Sequence, residues 1–309
     1  MSWQDHPASP LIRPRWWSWI AGDPSVLTPA ETPDGAWRLV CNNVQGIYQY
    51  RSDDGLCWEL VQRVDPLGFR PWILAHDGAF WLCYQRFHRL FSRSVLVARH
   101  STDLLRWSPA AVVLRPELAW EGAHVSNPCV LPAPEGGFWL YYAADQVFLE
   151  DMGFWEPAAV SRAWGPTPAG PWEKHGSPVL GPEPGHRFRD RGAGALKVYA
   201  GLLDGYYAGF QNGIFRDTAG RSGSAVLLLR SRDGLTWEEH PDNPIIAPGS
   251  EAPRWRRAQV YQLDVAPVGE ALWMFVNGRD GWRFGVERVG LCVLPRLGEL
   301  WGLSSGKSP

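Results

Sequence analysis

The apolar positions of this chain fall in short runs of alternating or wholly apolar character, and several of the runs repeat one frame. The frame is a polar residue, proline, any residue, a β-branched residue and leucine. It occurs as Asp23-Pro24-Ser25-Val26-Leu27, as Arg70-Pro71-Trp72-Ile73-Leu74 and as Asn127-Pro128-Cys129-Val130-Leu131. A small turn and an aromatic run follow each copy: Gly35 to Val40, Gly78 to Tyr84 and Gly137 to Tyr142. Two later segments, Gly205 to Phe210 and Ala271 to Val276, keep the aromatic run without the proline frame. Short runs of β-branched and aromatic residues between turn residues read as strands. Helical periodicity is nearly absent, because 27 prolines and 33 glycines interrupt the windows long enough to show it.

A second repeat closes the units. Ser52-Asp53-Asp54-Gly55-Leu56-Cys57-Trp58 returns as Ser101 to Trp107 and Ser231 to Trp237, with a variant in Ala169-Gly170-Pro171-Trp172. Its Asp-Gly pair makes a tight turn and its indole packs an outer strand, so it carries no chemistry. About four strands per unit, at a period of roughly 40 to 65 residues, is the pattern of a propeller, whose blades bury their faces only by stacking on neighbours. The predicted fold is all-β: a five-bladed β-propeller of four-stranded antiparallel blades around a central channel. It is read as one domain over 1–309, with blades near 23–68, 69–119, 120–185, 186–250 and 251–300. Residues 1–22 form a lead-in, with Trp16, Trp17 and Trp19 as anchors, expected to cover the first blade.

Composition narrows the partners. A formal net charge of −2 gives no basic excess of the kind that nucleic acids or membrane surfaces attract. No apolar run reaches the roughly 20 residues of a membrane span, and the first ten residues lack a signal-peptide pattern, so a cytoplasmic location is expected. Five cysteines without metal-ligand spacing are expected as buried free thiols, with no metal and no cofactor. Most of the 19 tryptophans fall at repeated strand positions and are expected to pack between sheets.

In a propeller the inner strands begin at one mouth of the channel, and loops between second and third strands return to it. Topology therefore collects Asn42, Asn43, Gln45, Gln85, Arg86 and His88 there, with Trp120, Glu121, His124, Asp145, Asp151 and Glu156 from the third unit. The last two units add Asp190, Gln211, Asn212, Asn277, Arg279 and Asp280. Carboxylates, amides and arginines beside tryptophans suit a polyhydroxylated ligand, and a carbohydrate is the expected partner. Two segments stay open: Gly192 to Val198 is small either for packing at the axis or for a ligand, and Asn277 to Trp282 is either a mere turn or part of the mouth.

From Asp23 to about Gly290 these repeats resemble the five-bladed glycosidases, in particular glycoside hydrolase family 43 and its relatives in families 32, 117 and 130. The resemblance implies a glycosidase that removes a terminal sugar, a furanoside or pentoside. It also implies an aspartate opening blade one as general base, matched by Asp23, and an aspartate opening blade three, where this chain has Asn127. A glutamate entering blade four would be the general acid, and none stands in register. The acid candidates are therefore Asp190, placed between two arginines, and Glu121 and Glu156, each following a tryptophan. Substrate contacts are expected from Arg70, Trp120, His124, Asn127, Asp151, Gln211, Asn212, Arg279 and Asp280. Two alternatives remain: a phosphorylase using Arg70, Arg189, Arg191, Arg256, Arg257 and Arg279 to hold phosphate, and a propeller that binds sugar or protein without turnover.

Overall fold

The computed structural model describes residues 2–15, 18–88 and 91–302, so Trp16 and Trp17 lie outside it. The inner strands of the five blades are Gly22–Leu27, Gly68–His76, Val125–Pro132, Leu196–Leu203 and Gln259–Val268. Each is followed outward by antiparallel neighbours, giving five four-stranded sheets in sequential order. A separate hairpin, Val147–Leu149 with Phe154–Glu156, is inserted between the second and third strands of blade three. Helix among the described residues is confined to single 3-10 turns, and no helix is long and apolar enough to cross a membrane.

The lead-in goes elsewhere than expected. Gln4–Asp5 pairs with Val293 and Cys292 as the outer strand of blade five, and Ile12 bridges Val289. The last stretch of the chain supplies that blade with only three strands, and an open edge is a liability that the first strand removes. The Asp5 carboxylate accepts two hydrogen bonds from the Arg256 guanidinium, at 2.8 and 2.6 Å, which fastens the closure.

The repeated proline frame has one geometric purpose. Asp23, Arg70 and Asn127 hold left-handed backbone, with φ of 53°, 52° and 48°, and the strand register slips at each of them. A bulge of this kind turns one side chain out of the sheet's alternation, here into the channel mouth. The proline that follows tolerates the interrupted ladder because it has no N–H to satisfy. Blade four makes the same move with Gly194, at φ 59°, where a Cβ would stand 1.9 Å from the Asn212 carbonyl oxygen. The small residues of Gly192 to Val198 thus have a packing reason.

The closing motifs are also alike in detail. Asp54 accepts the backbone N–H of Leu56 and Cys57, Asp103 those of Leu105 and Arg106, and Asp233 those of Leu235 and Thr236. Between blades the aromatic rings meet stacked or tilted. Trp37 of blade one stacks on Trp273 of blade five at 5.7 Å, and Trp139 of blade three meets Tyr207 of blade four at 5.0 Å. Cys41, Cys83, Cys129 and Cys292 are buried free thiols; Cys57 is exposed, because it sits on the outward side of its Asx turn.

Candidate active site

A cavity of about 500 Å³ opens at the mouth where the inner strands begin. Its walls include Asp23 and Asn127 from the strand openings, Glu156 from the inserted hairpin and Glu287 from the third strand of blade five. Arg70 and Arg279 face the same space from blades two and five, with Asn42, Asn212, Gln262 and Asn277 between them.

Glu156 is buried, Asp23 and Glu287 are half-buried, and the three carboxyls act on one another electrostatically. Burial pushes Asp23 up, against the opposing pull of Arg70 and Lys197 and a hydrogen bond from Asn42. Glu156 is raised to about 7, by burial first and by the charge of Asp23, with Arg70 and Arg279 working the other way. Glu287 is raised to about 8, again by burial, with Arg279 opposing and with Asp23 and Glu156 adding to the rise. Removing water and placing like charges together both favour the protonated form. The site thus holds an aspartate with cations beside it and two glutamates that keep protons near neutral pH.

Amides fix the positions. Asn277 Oδ1 accepts the Asp23 backbone N–H at 3.2 Å, while its Nδ2 donates to Glu287 at 3.4 Å, linking the two acids through one side chain. Asn42 Oδ1 accepts the Arg70 N–H at 2.7 Å. Asn212 Oδ1 accepts the Ala195 N–H at 2.9 Å and the Gln262 Nε2 at 2.5 Å. Below them Lys197, fully buried, donates to the Pro128 carbonyl at 2.8 Å and lies over the Trp72 ring. Its charge and that of Asp23 favour each other's ionised form, although burial lowers the lysine.

Several expected residues stand outside this cavity. Glu121 is buried but saturated by the N–H groups of Glu117 and Leu118, the Tyr142 hydroxyl and Lys174, which together hold its carboxyl below the usual range despite burial. It pins the turn into blade three. Trp120 packs on Tyr142 and donates to the Gly176 carbonyl. Asp190 accepts the Arg216 N–H, while its neighbours Arg189 and Arg191 turn to Glu183, Glu239 and Glu150. Asp151 accepts from Ser222 and Trp282 and ties the hairpin to blades four and five. Gln211 donates to the Ala193 carbonyl, and Asp280 pairs with Arg288 at 2.7 Å. His124 lines a flanking cavity that shares Arg70, Phe87, Phe91 and Trp155 with the central one. In each of the others a residue at the correct end of the blade spends its polar atoms on the wall instead of in the channel.

The arginines are similarly divided. Arg189, Arg191 and Arg256 are committed to Glu183 and Glu239, Glu150, and Asp5, and Arg257 donates to the Asp280 carbonyl. Only Arg70 and Arg279 of the six reach the cavity, so the six-arginine phosphate cradle is not assembled. Among the described residues no cluster of three His, Cys, Asp or Glu side chains is placed to hold a metal ion.

No family model and no curated protein matches the chain. Solved structures do match. A thermostable family-43 glycoside hydrolase aligns with a TM-score of 0.64 at 14% identity, over 88% of each chain. An α-L-arabinanase mutant from Cellvibrio cellulosa aligns at 0.62 and 15% identity, over 88% of this chain and 90% of that one. An N-acetylgalactosamine deacetylase from F. plautii, in complex with blood group B trisaccharide, aligns at 0.65 and 14%, over 95% and 94%. The fold is that of the family 43 glycoside hydrolases. At such identities the likeness is one of fold, and the deacetylase among these neighbours shows that the fold hosts more than one chemistry.

Glu287 escaped the reading of the sequence, as did Lys197, Tyr261 and Gln262. The mouth segment expected in blade five ends at Trp282, yet the third strand itself begins at the mouth and opens with Glu287. Tyr261 and Gln262 sit at the register slip of blade five, which lacks the proline that flags the other bulges.

Proposed function

We propose that this chain is a glycoside hydrolase that removes a terminal sugar, a furanoside or pentoside, with Asp23 as general base or nucleophile and Glu156 as general acid. The observation that carries the reading is the set of three carboxyls, at least half-buried and electrostatically coupled, in one cavity. Glycosidic cleavage needs one carboxylate ionised and another protonated at the working pH, and unlike environments divide those tasks. Asp23, with Arg70 and Lys197 nearby, suits the ionised task. Glu156, raised to about 7, suits the protonated one: it gives a proton to the departing oxygen and takes one back from water. Asn127 preserves polarity at the blade-three opening without charge. An α-L-arabinanase among the structural neighbours supports the furanoside choice.

The test is release of aryl alcohol from a panel of aryl furanosides and pentosides by the purified protein and by Asp23→Asn. Turnover of at least one glycoside that vanishes in the variant is expected. Sugar binding without turnover by the wild-type protein would replace this reading with that of a binding propeller.

A further inference from the structure

The central cavity contains a guanidinium with no carboxylate in hydrogen-bonding reach, although Glu287 stands opposite it on the neighbouring strand and feels its charge. Arg279 is 7% exposed, lines the cavity, and has no carboxylate oxygen within 4 Å among the described residues. A terminal nitrogen donates to the Arg283 carbonyl at 2.9 Å, the Tyr261 hydroxyl lies beside the guanidinium, and the buried Nε has no partner. The group is not loose: its guanidinium lies 5.5 Å from the centre of the Phe154 ring, on the inserted hairpin. Arg70 faces the same space. It donates to Gln85 at 3.3 Å, and its nearest acid, Glu156, stands 3.8 Å away, beyond a good hydrogen bond.

A buried charge left without a partner is costly, and natural sites tolerate it where a ligand completes it. The acids of the cavity do not complete it in place. Burial keeps Glu156 and Glu287 inclined to hold protons, and Asp23 is shared between Arg70 and Lys197. What remains is two planar forks, neither closed by a carboxylate at good hydrogen-bond distance, directed into a space of sugar size. A carboxylate matches such forks by paired hydrogen bonds.

We infer that the substrate is an acidic saccharide, whose uronate carboxylate is held in the cavity by Arg279 and Arg70. The inference rests on reading the cavity as a saccharide site. Inorganic phosphate offers similar oxygens, but near neutral pH it carries more negative charge than a uronate into a cavity that already holds the carboxyls of Asp23, Glu156 and Glu287.

The experiment compares binding, measured by calorimetry on the wild-type protein, of glucuronate and galacturonate with glucose, galactose and inorganic phosphate. At least one uronate is expected to bind about tenfold or more tighter than its neutral counterpart, the scale of a charge-assisted hydrogen bond. Adding Arg279→Gln should abolish the preference, and adding Arg279→Lys should restore part of it. Arg70→Gln, at a less buried position, serves if the Arg279 variants do not fold. Equal binding of acid and neutral sugars, or a preference indifferent to both arginines, overturns the inference, as does binding of phosphate alone. A uronate preference without turnover of any glycoside would leave the inference standing and remove the hydrolase reading; turnover of neutral glycosides without the preference would do the reverse.

Discussion

Asp23 sits in left-handed backbone, a conformation that asparagine adopts as easily as aspartate. Asp23→Asn therefore removes the charge without adding strain, and kcat/KM is expected to fall about a hundredfold to ten-thousandfold while the melting temperature hardly moves. The acid should show in the pH profile: with Glu156 required protonated and raised to about 7, kcat/KM declines as pH rises through that value, and Glu156→Gln removes the limb. Glu287 gives a stability prediction. Its folded pKa of about 8 lies above the ordinary 4.5, so the folded protein binds more protons between those values and its stability falls as pH rises through that window. Glu287→Gln is expected to flatten this fall, seen as melting temperatures measured from pH 5 to pH 9; an unchanged slope would show that the carboxyl titrates normally. At this scale the sequence was readable where topology forces a side chain inward. Asp23, Arg70 and Asn127 each sit on a bulge marked by the following proline. It was not readable for loops, where Glu121 and Asp280 share the mouth end with Glu156 and Arg279 but spend their oxygens on backbone N–H groups and basic side chains of the wall.

The elements carry the aromatic repeats. Trp37 is buried between blade one and blade five, stacked on Trp273, and its truncation to alanine is expected to cost about 3 to 5 kcal/mol in denaturant unfolding. The closing strand makes a second case. Asp5→Ala leaves the Arg256 guanidinium, only 10% exposed, without its carboxylate and is expected to cost about 2 to 3 kcal/mol, with hydrogen exchange quickened first along Glu287–Leu294. Uniform exchange across all five blades would show that the strand does not hold the closure locally. Strand positions could be read because aromatic and β-branched runs between turns have no competing helical period. The partner of Gln4–Asp5 could not, since two residues carry no period, and only the missing fourth strand of blade five says where they belong.

The whole molecule is a ring of five blades closed by its own beginning, with its chemistry gathered at one mouth. Architecture was visible in the chain because a propeller repeats its local pattern. The site was visible in part, because it is assembled once from five different blades and most of its electrostatics arise only on assembly: Glu156 is marked in sequence by the preceding Trp155, but Glu287 has no neighbour in sequence that would raise it. The measurement that tests the account most directly is the leaving-group dependence of kcat/KM over a series of aryl glycosides, for the wild-type protein and Glu156→Gln. If Glu156 donates the proton, the variant loses little on the most acidic phenol and progressively more as the phenol becomes less acidic, so that its slope against leaving-group pKa is steeper than that of the wild type. Parallel slopes, with a uniform loss or none, would contradict the assignment of Glu156 and with it the proposed division of labour in the cavity.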